Sequence, residues 1–205
     1  MVPAPIPTFR SLQGYNPVDE TAHIGTSFPS DSTQLSALLD AENSDELIRD
    51  LATLVSHRGV VFFKNQDITI QKQKELGLRL GQLTGRPAES GLHKHPVSEE
   101  TPELGADTSV ISSMGFTKRI LELYPEESDN LLDYLYRQIS ENHDLQVRYK
   151  WGQNDVAIWD NRVTFHTATN DYVDNRQGNR VVGIGEKPFF DPNSKSRRAE
   201  LKLSF

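Results

Sequence analysis

The residues of this chain that are best suited to chemistry are one histidine and two arginines near its C-terminal end. His166 follows the apolar run 156–159 and a polar turn, and Arg176 and Arg180 come shortly after it. A neutral imidazole is a common metal ligand, and a planar guanidinium can bind a carboxylate through two parallel hydrogen bonds. This combination indicates a site where a metal ligand stands beside an anion-binding group.

If the metal were iron, a second histidine and a carboxylate would also be needed, and the sequence contains no recognisable motif that supplies them. Non-haem Fe(II) is held by two histidines and one carboxylate, which leave open positions for other ligands. The carboxylate would be expected as His-x-Asp or His-x-Glu on an earlier strand. The residues two positions after the six histidines are Gly25, Gly59, His95, Val97, Leu145 and Ala168, so the motif does not occur.

Length and composition limit the class of protein. With 205 residues and 36% hydrophobic content, the chain is long enough for one domain with a thin core. Its net charge of -7 argues against nonspecific nucleic-acid binding, and the lack of cysteine excludes disulfides and thiolate metal sites. No apolar run reaches the length of a membrane span, and the N-terminus does not resemble a signal or transit peptide. A cytoplasmic protein without a membrane or nucleic-acid partner is expected.

Hydrophobic periodicity predicts an α+β fold after an extended N-terminal arm. The arm covers residues 1–43, the domain residues 44–190 and a polar tail residues 191–205. Apolar residues at helical spacing predict helices over 44–57, 69–84 and 125–142. Ser44 is the expected N-cap of the first helix. Short apolar or alternating runs predict strands at 60–63, 110–112, 145–151, 155–159 and 181–184.

Two blocks of sequence resemble the taurine/2,4-D (TauD/TfdA) family of Fe(II)/2-oxoglutarate-dependent dioxygenases, particularly its fungal sulfonate-dioxygenase-like members. The first block comprises residues 59–69 and continues through the following helix to 91–96. The second, more specific block starts at 115–120. It includes 146–151, 159–162, His166, Asp171, Tyr172, Arg176, Arg180 and 185–190.

The resemblance implies a fold, a set of cofactors and residue roles. The fold would be a double-stranded β-helix, or jelly roll, with flanking helices, and the cofactors would be Fe(II) and 2-oxoglutarate. His166 would be the distal iron ligand, Arg176 would bind the 2-oxoglutarate carboxylate, and Arg180 would bind the anionic group of a small substrate such as a sulfonate. Such enzymes hydroxylate a C–H bond while 2-oxoglutarate becomes succinate and CO2.

The chain departs from the family between Ser113 and Met114, where the family has a central segment with the His-x-Asp ligands and several strands. The jelly roll would be truncated by the loss of those strands. One imidazole cannot hold Fe(II) usefully, so inactivity is expected for the chain as written. A noncatalytic pseudoenzyme that binds an anion or a partner, including another copy of itself, is the alternative. A weaker alternative is a three-histidine metal site formed by His93, His95 and His166.

Overall fold

The computed structural model describes residues 9–93, 117–169, 172–173, 177–185, 190–196 and 199. They form a mixed α+β arrangement of four helices and four short strands. The helices are α1 (Leu35–Asp40), α2 (Ser44–Arg58), α3 (Ile70–Gln82) and α4 (Pro125–Ser140). The strands are β1 (Val18–Asp19), β2 (Thr26–Phe28), β3 (Val60–Phe63) and β4 (Val156–Trp159). Two 3-10 helices, Arg10–Tyr15 and His143–Leu145, complete the described elements.

The four strands make one sheet in the order β1-β2-β3-β4. β1 is antiparallel to β2, β2 is parallel to β3, and β3 is antiparallel to β4. The parallel pair is joined by a crossover through α1 and α2, as parallel neighbours require. The last ladder pair joins Val60 to Trp159. This register places the end of β4 beside the end of α2.

The core is built around α2, which packs against α1, α3, β3 and the first 3-10 helix. The apolar face predicted for this helix is buried as expected: Leu47, Ile48, Leu51, Leu54 and Val55. The predicted N-cap was wrong by one residue, because Asn43 holds that position and makes no side-chain capping bond. The hydroxyl of Ser44 instead accepts a hydrogen bond from the Arg79 guanidinium at 2.9 Å.

The segment before residue 44 differs from the predicted extended arm. Its 3-10 helix, β2 and α1 deliver apolar side chains to the core: Leu12, Phe28, Leu35, Leu38 and Leu39. The buried side chain of Gln66 accepts a hydrogen bond from the Leu35 backbone and donates one to the Thr33 carbonyl, at 2.8 and 2.9 Å. These elements are only three to six residues long, so they show too little periodicity for detection from sequence.

The predicted strand over 145–151 was wrong, although its alternating pattern has a structural cause. The segment begins with the 3-10 helix and forms no ladder with the described residues. Tyr149 nevertheless stacks on Phe62 of β3 with ring centroids 4.0 Å apart, and Val147 lies against Gly25. Val147 and Tyr149 therefore both face the rest of the fold without backbone pairing.

The remaining elements agree with prediction to different degrees. α3, α4, β3 and β4 lie where the sequence places them, within two residues at each end. The predicted strand at 181–184 is reduced to an isolated bridge between Leu92 and Gly183. The predicted strand at 110–112, the 113/114 junction and most of the tail lie outside the described residues. The complete jelly roll and the domain boundaries stay predictions.

The part of the chain that the structure describes contains no helix with the length and hydrophobicity needed to cross a membrane.

Candidate functional site

The candidate site begins where β4 ends and the chain turns. Asp160 donates its backbone N–H to the carbonyl of Gly59 at 3.0 Å, which ties the turn to the C-terminal end of α2. Its own carbonyl accepts hydrogen bonds from the Thr164 hydroxyl at 2.8 Å and from the Val163 and Thr164 N–H groups. Gly59 has φ of +75°, and a Cβ there would lie 2.8 Å from Cγ2 of Thr164. The turn and the helix end thus fit together closely.

Polar side chains in the turn fix its shape. The Asp160 carboxylate accepts hydrogen bonds from the Arg162 backbone at 2.9 Å and from its guanidinium at 2.8 Å. Burial raises the pKa of Asp160, but the bonds from Arg162 outweigh it and leave the pKa below its ordinary value. The indole N–H of Trp159 donates to Asn161 Oδ1 at 2.8 Å. These contacts within the turn give Asp160, Asn161 and Arg162 a structural role.

His166 and Arg180 both lie against the indole of Trp159. The His166 and Trp159 ring centroids are 4.6 Å apart with a tilt of 51°, and the Arg180 Cζ is 5.1 Å from the indole centroid. Partial desolvation, followed by the positive charge of Arg180, lowers the pKa of His166. Burial lowers the pKa of Arg180. The structure therefore brings an imidazole and a guanidinium together on one indole ring.

The backbone near Arg180 is anchored to a different part of the molecule. Val181 packs on α3, where a Cβ on Gly77 would lie 3.1 Å from its Cγ1. Gly183 forms a bridge with Leu92, and the His93 N–H donates to the Val182 carbonyl at 2.8 Å. The backbone of Arg180 thus belongs to a segment that packs on α3, whereas its side chain contacts Trp159 at the end of β4, which pairs with β3.

The structure brings together two of the three predicted site residues. His166 and Arg180 meet on Trp159, whereas Arg176 lies outside the described residues. His95, which the three-histidine alternative needs, also lies outside them. Within the described ranges, no group of three His, Cys, Asp or Glu side chains could hold a metal ion.

Trp159 is the site residue that the sequence interpretation missed. The sequence analysis assigned it no role, since an apolar residue that ends a strand is ordinarily buried. Trp159 is instead only partly buried and contacts both polar candidates. Its position at the end of β4, an outer strand of the described sheet, follows from the strand order and not from the local sequence.

A second polar cluster, centred on Asp155, fixes the start of β4. The Asp155 side chain, only 2% exposed, accepts hydrogen bonds from Lys64 Nζ at 2.8 Å and Tyr149 Oη at 3.0 Å. The N–H groups of Asn65 and Gly152 donate to it as well. Burial raises the pKa of Asp155, but these four donors outweigh it and lower the pKa overall. The cluster is structural and lies at the opposite end of the strand from His166.

Comparison with known proteins connects the site to a family. Residues 88–183 match the model of the taurine catabolism dioxygenase TauD, TfdA family. This stretch contains Trp159, His166, Arg176 and Arg180. The chain is related to the TauD/TfdA dioxygenases. The predicted resemblance is confirmed.

Individual relatives differ in sequence identity and in the share of this chain that they match. The α-ketoglutarate-dependent dioxygenase btcD of Neocamarosporium betae is 27% identical over 336 residues, covering 97% of this chain and 98% of that protein. The α-ketoglutarate-dependent sulfonate dioxygenase of Saccharomyces cerevisiae is 33% identical over 123 residues, covering 59% of this chain and 29% of that protein. A taurine dioxygenase structure from Burkholderia xenovorans aligns with 17% identity and a TM-score of 0.42, covering 72% and 81% of the two chains.

Proposed function

We propose that this chain carries the anion-binding half of an Fe(II)/2-oxoglutarate dioxygenase site of the taurine/sulfonate type and does not turn over as written. In a complete site, O2 would supply one oxygen atom to hydroxylate a small anionic substrate and the other to convert 2-oxoglutarate to succinate and CO2. The observation that carries the proposal is the meeting of His166 and Arg180 on Trp159. Arg176 is proposed to bind the 2-oxoglutarate carboxylate and Arg180 the substrate anion.

The donor atoms present do not fit a resident iron ion. Fe(II) in such sites needs two imidazoles and a carboxylate, whereas the described residues offer His166 without two further ligands beside it. The Arg180 charge that lowers the pKa of His166 would also repel a metal cation bound there. His166 and Arg180 therefore suit an anion better than a metal, and no step of a reaction is assigned to iron.

The proposal includes the loss of a central segment at the junction of Ser113 and Met114. The btcD alignment spans 336 positions, whereas this chain has 205 residues, so over a third of the aligned positions have no residue here. The sequence contains no His-x-Asp or His-x-Glu pair, which supports placing the missing ligands in those unmatched positions. Full-length transcripts across this junction test the point. A longer in-frame message that encodes His-x-Asp supports it, and an insertion without ligands contradicts it.

A noncatalytic, partner-binding role is the second candidate, and exposed apolar side chains favour it. On α4, Leu131 is 40% and Leu135 is 45% exposed, and Tyr124 just before the helix is 76% exposed. α4 packs closely against none of the other described helices and strands. Apolar surface of this kind is typical of an interaction face. A second copy or a partner subunit could cover it.

The test of the proposed function is succinate formation from 2-oxoglutarate with Fe(II), ascorbate and taurine. The purified chain should form no more succinate than its His166→Ala variant, which controls for contaminating enzymes. Succinate formation that is abolished by His166→Ala would contradict the proposal. A chain with a relative's central segment inserted between Ser113 and Met114 should gain turnover, which tests whether the retained half is competent.

A further inference from the structure

Trp159 is the point where two separately anchored segments of the chain meet. The indole is held from one side by β4, whose ladder pairs Trp159 with Val60, and by its hydrogen bond to Asn161. The Arg180 guanidinium approaches from the segment that packs on α3.

The geometry suits a guanidinium that must bind an anion. A cation over the face of an indole is attracted by the negative charge of the ring, and the attraction is larger where water is partly excluded. A guanidinium can contact an aromatic ring and bind an anion at the same time, because its N–H donors lie at the edge of its plane. Trp159 is partly buried and Arg180 is half-buried, so the contact is shielded from full solvent.

We propose that Trp159 is a positioning residue that orients Arg180 for binding the anionic head of a small organic sulfonate beside His166. The inference rests on the proposed function, since it assumes that Arg180 binds the substrate anion. Trp159 itself need not touch the ligand. Its contribution acts through the guanidinium, whose orientation it fixes at the end of β4.

Calorimetric titration with ethanesulfonate tests the proposal. Trp159→Leu removes the aromatic face and should weaken binding by about tenfold, whereas Trp159→Phe keeps a weaker face and should lose about threefold. Trp151→Leu is the matched control, because this second tryptophan is 48% exposed and packs edge-on against Tyr149 instead. The Trp151→Leu variant should bind ethanesulfonate with the affinity of the wild type.

A double-mutant cycle separates positioning from general structure. In an Arg180→Ala background, Trp159→Leu should cause no further loss of affinity, because its effect acts through Arg180. An equal additional loss there would overturn the proposal, and so would unchanged affinity in Trp159→Leu. If Trp159→Leu does not fold, Trp159→Phe decides, and wild-type affinity in that variant overturns the proposal.

The outcomes also distinguish this inference from the proposed function. If Arg180→Ala binds ethanesulfonate as tightly as the wild type, Arg180 does not bind the anion and both proposals fail. If Arg180→Ala loses binding while Trp159→Leu retains it, only the role of Trp159 fails. Thermal unfolding of every variant verifies that each titration is made on folded protein.

Discussion

α2 and α4 are amphipathic helices of similar length, 15 and 16 residues, with opposite environments. α2 buries its whole apolar face between other elements, whereas the one buried side chain of α4 is Ser128. Among the described residues, the buried apolar side chains all lie between Leu12 and Leu76. An amphipathic pattern shows that a helix can bury a face, but a partner element must be present for burial to occur.

The contrast extends to the two regions that contain these helices. Residues 9–93 form a layered core of helices on a sheet, and β4 joins that sheet from the second region. From residue 117 onward, several large apolar side chains are exposed: Leu121, Tyr134, Trp151, Val163, Phe165, Val173, Ile184 and Phe190. The proposed loss of a central segment would produce this difference, because the strands of that segment would otherwise cover such surfaces.

Replacing one leucine in each helix should give the largest measurable contrast. Leu51→Ala, in the core, should lower the free energy of unfolding by about 2–5 kcal/mol through lost burial and a cavity. Leu135→Ala, which is 45% exposed, should cost about 0.5 kcal/mol or less. Urea unfolding measures both. Similar losses would show that α4 is packed in solution and that the contrast is wrong.

The next largest effect should come from the Asp155 cluster, which ties β4 to the first region. Asp155→Ala leaves the Tyr149 hydroxyl and two backbone N–H groups without their acceptor and should cost about 2–4 kcal/mol. Asp133→Ala, on the exposed surface of α4, is the control and should change stability by about 0.5 kcal/mol or less. A small effect at Asp155 would mean that β4 is held by ladder pairing alone.

A glycine substitution tests the close fit between the site turn and α2. Gly59→Ala forces an L side chain into φ +75° and against Thr164, and should cost about 1–3 kcal/mol. Gly14→Ala, with no neighbour within 4 Å of the added methyl, is the control and should be near neutral. If both variants have wild-type stability in a thermal melt, the turn that carries His166 is not fixed by α2.

The pH dependence of stability should show the smallest effect. Hydrogen bonds outweigh burial and lower the pKa of Asp155, so its stabilisation is present above the unfolded pKa, near 3.8, and is lost as the pH falls through the folded value. Asp155→Asn removes this titration. Its free energy of unfolding should fall less steeply than that of the wild type below about pH 4. If the free energy of unfolding falls equally steeply with pH in both proteins, other carboxylates control the loss of stability at acid pH.

Sequence reasoning predicted the elements whose length made their periodicity visible. It gave α2, α3, β3 and β4 nearly to the residue, but it missed α1 and β2, which have too few residues for a pattern. The run 145–151 was misread because stacking of Tyr149 on Phe62 produces the same alternation as strand pairing. Local periodicity cannot distinguish these two causes.

The site shows a similar division. His166 and Arg180 contact a common ring, and their roles stay proposals. Trp159 and Asp155 were not singled out as members of polar clusters, because their neighbours come from strands and segments distant in sequence. Such contacts follow from sheet order and register, which the sequence alone did not specify.

Anaerobic titration of the chain with Fe(II) in the presence of 2-oxoglutarate tests the central claim most directly. The account predicts no stoichiometric Fe(II) binding and no charge-transfer absorption from an iron-bound 2-oxoglutarate, because His166 lacks the two further ligands. Binding of one equivalent of Fe(II) with that absorption, lost in His166→Ala, would contradict the account and show that the chain completes an iron site by itself.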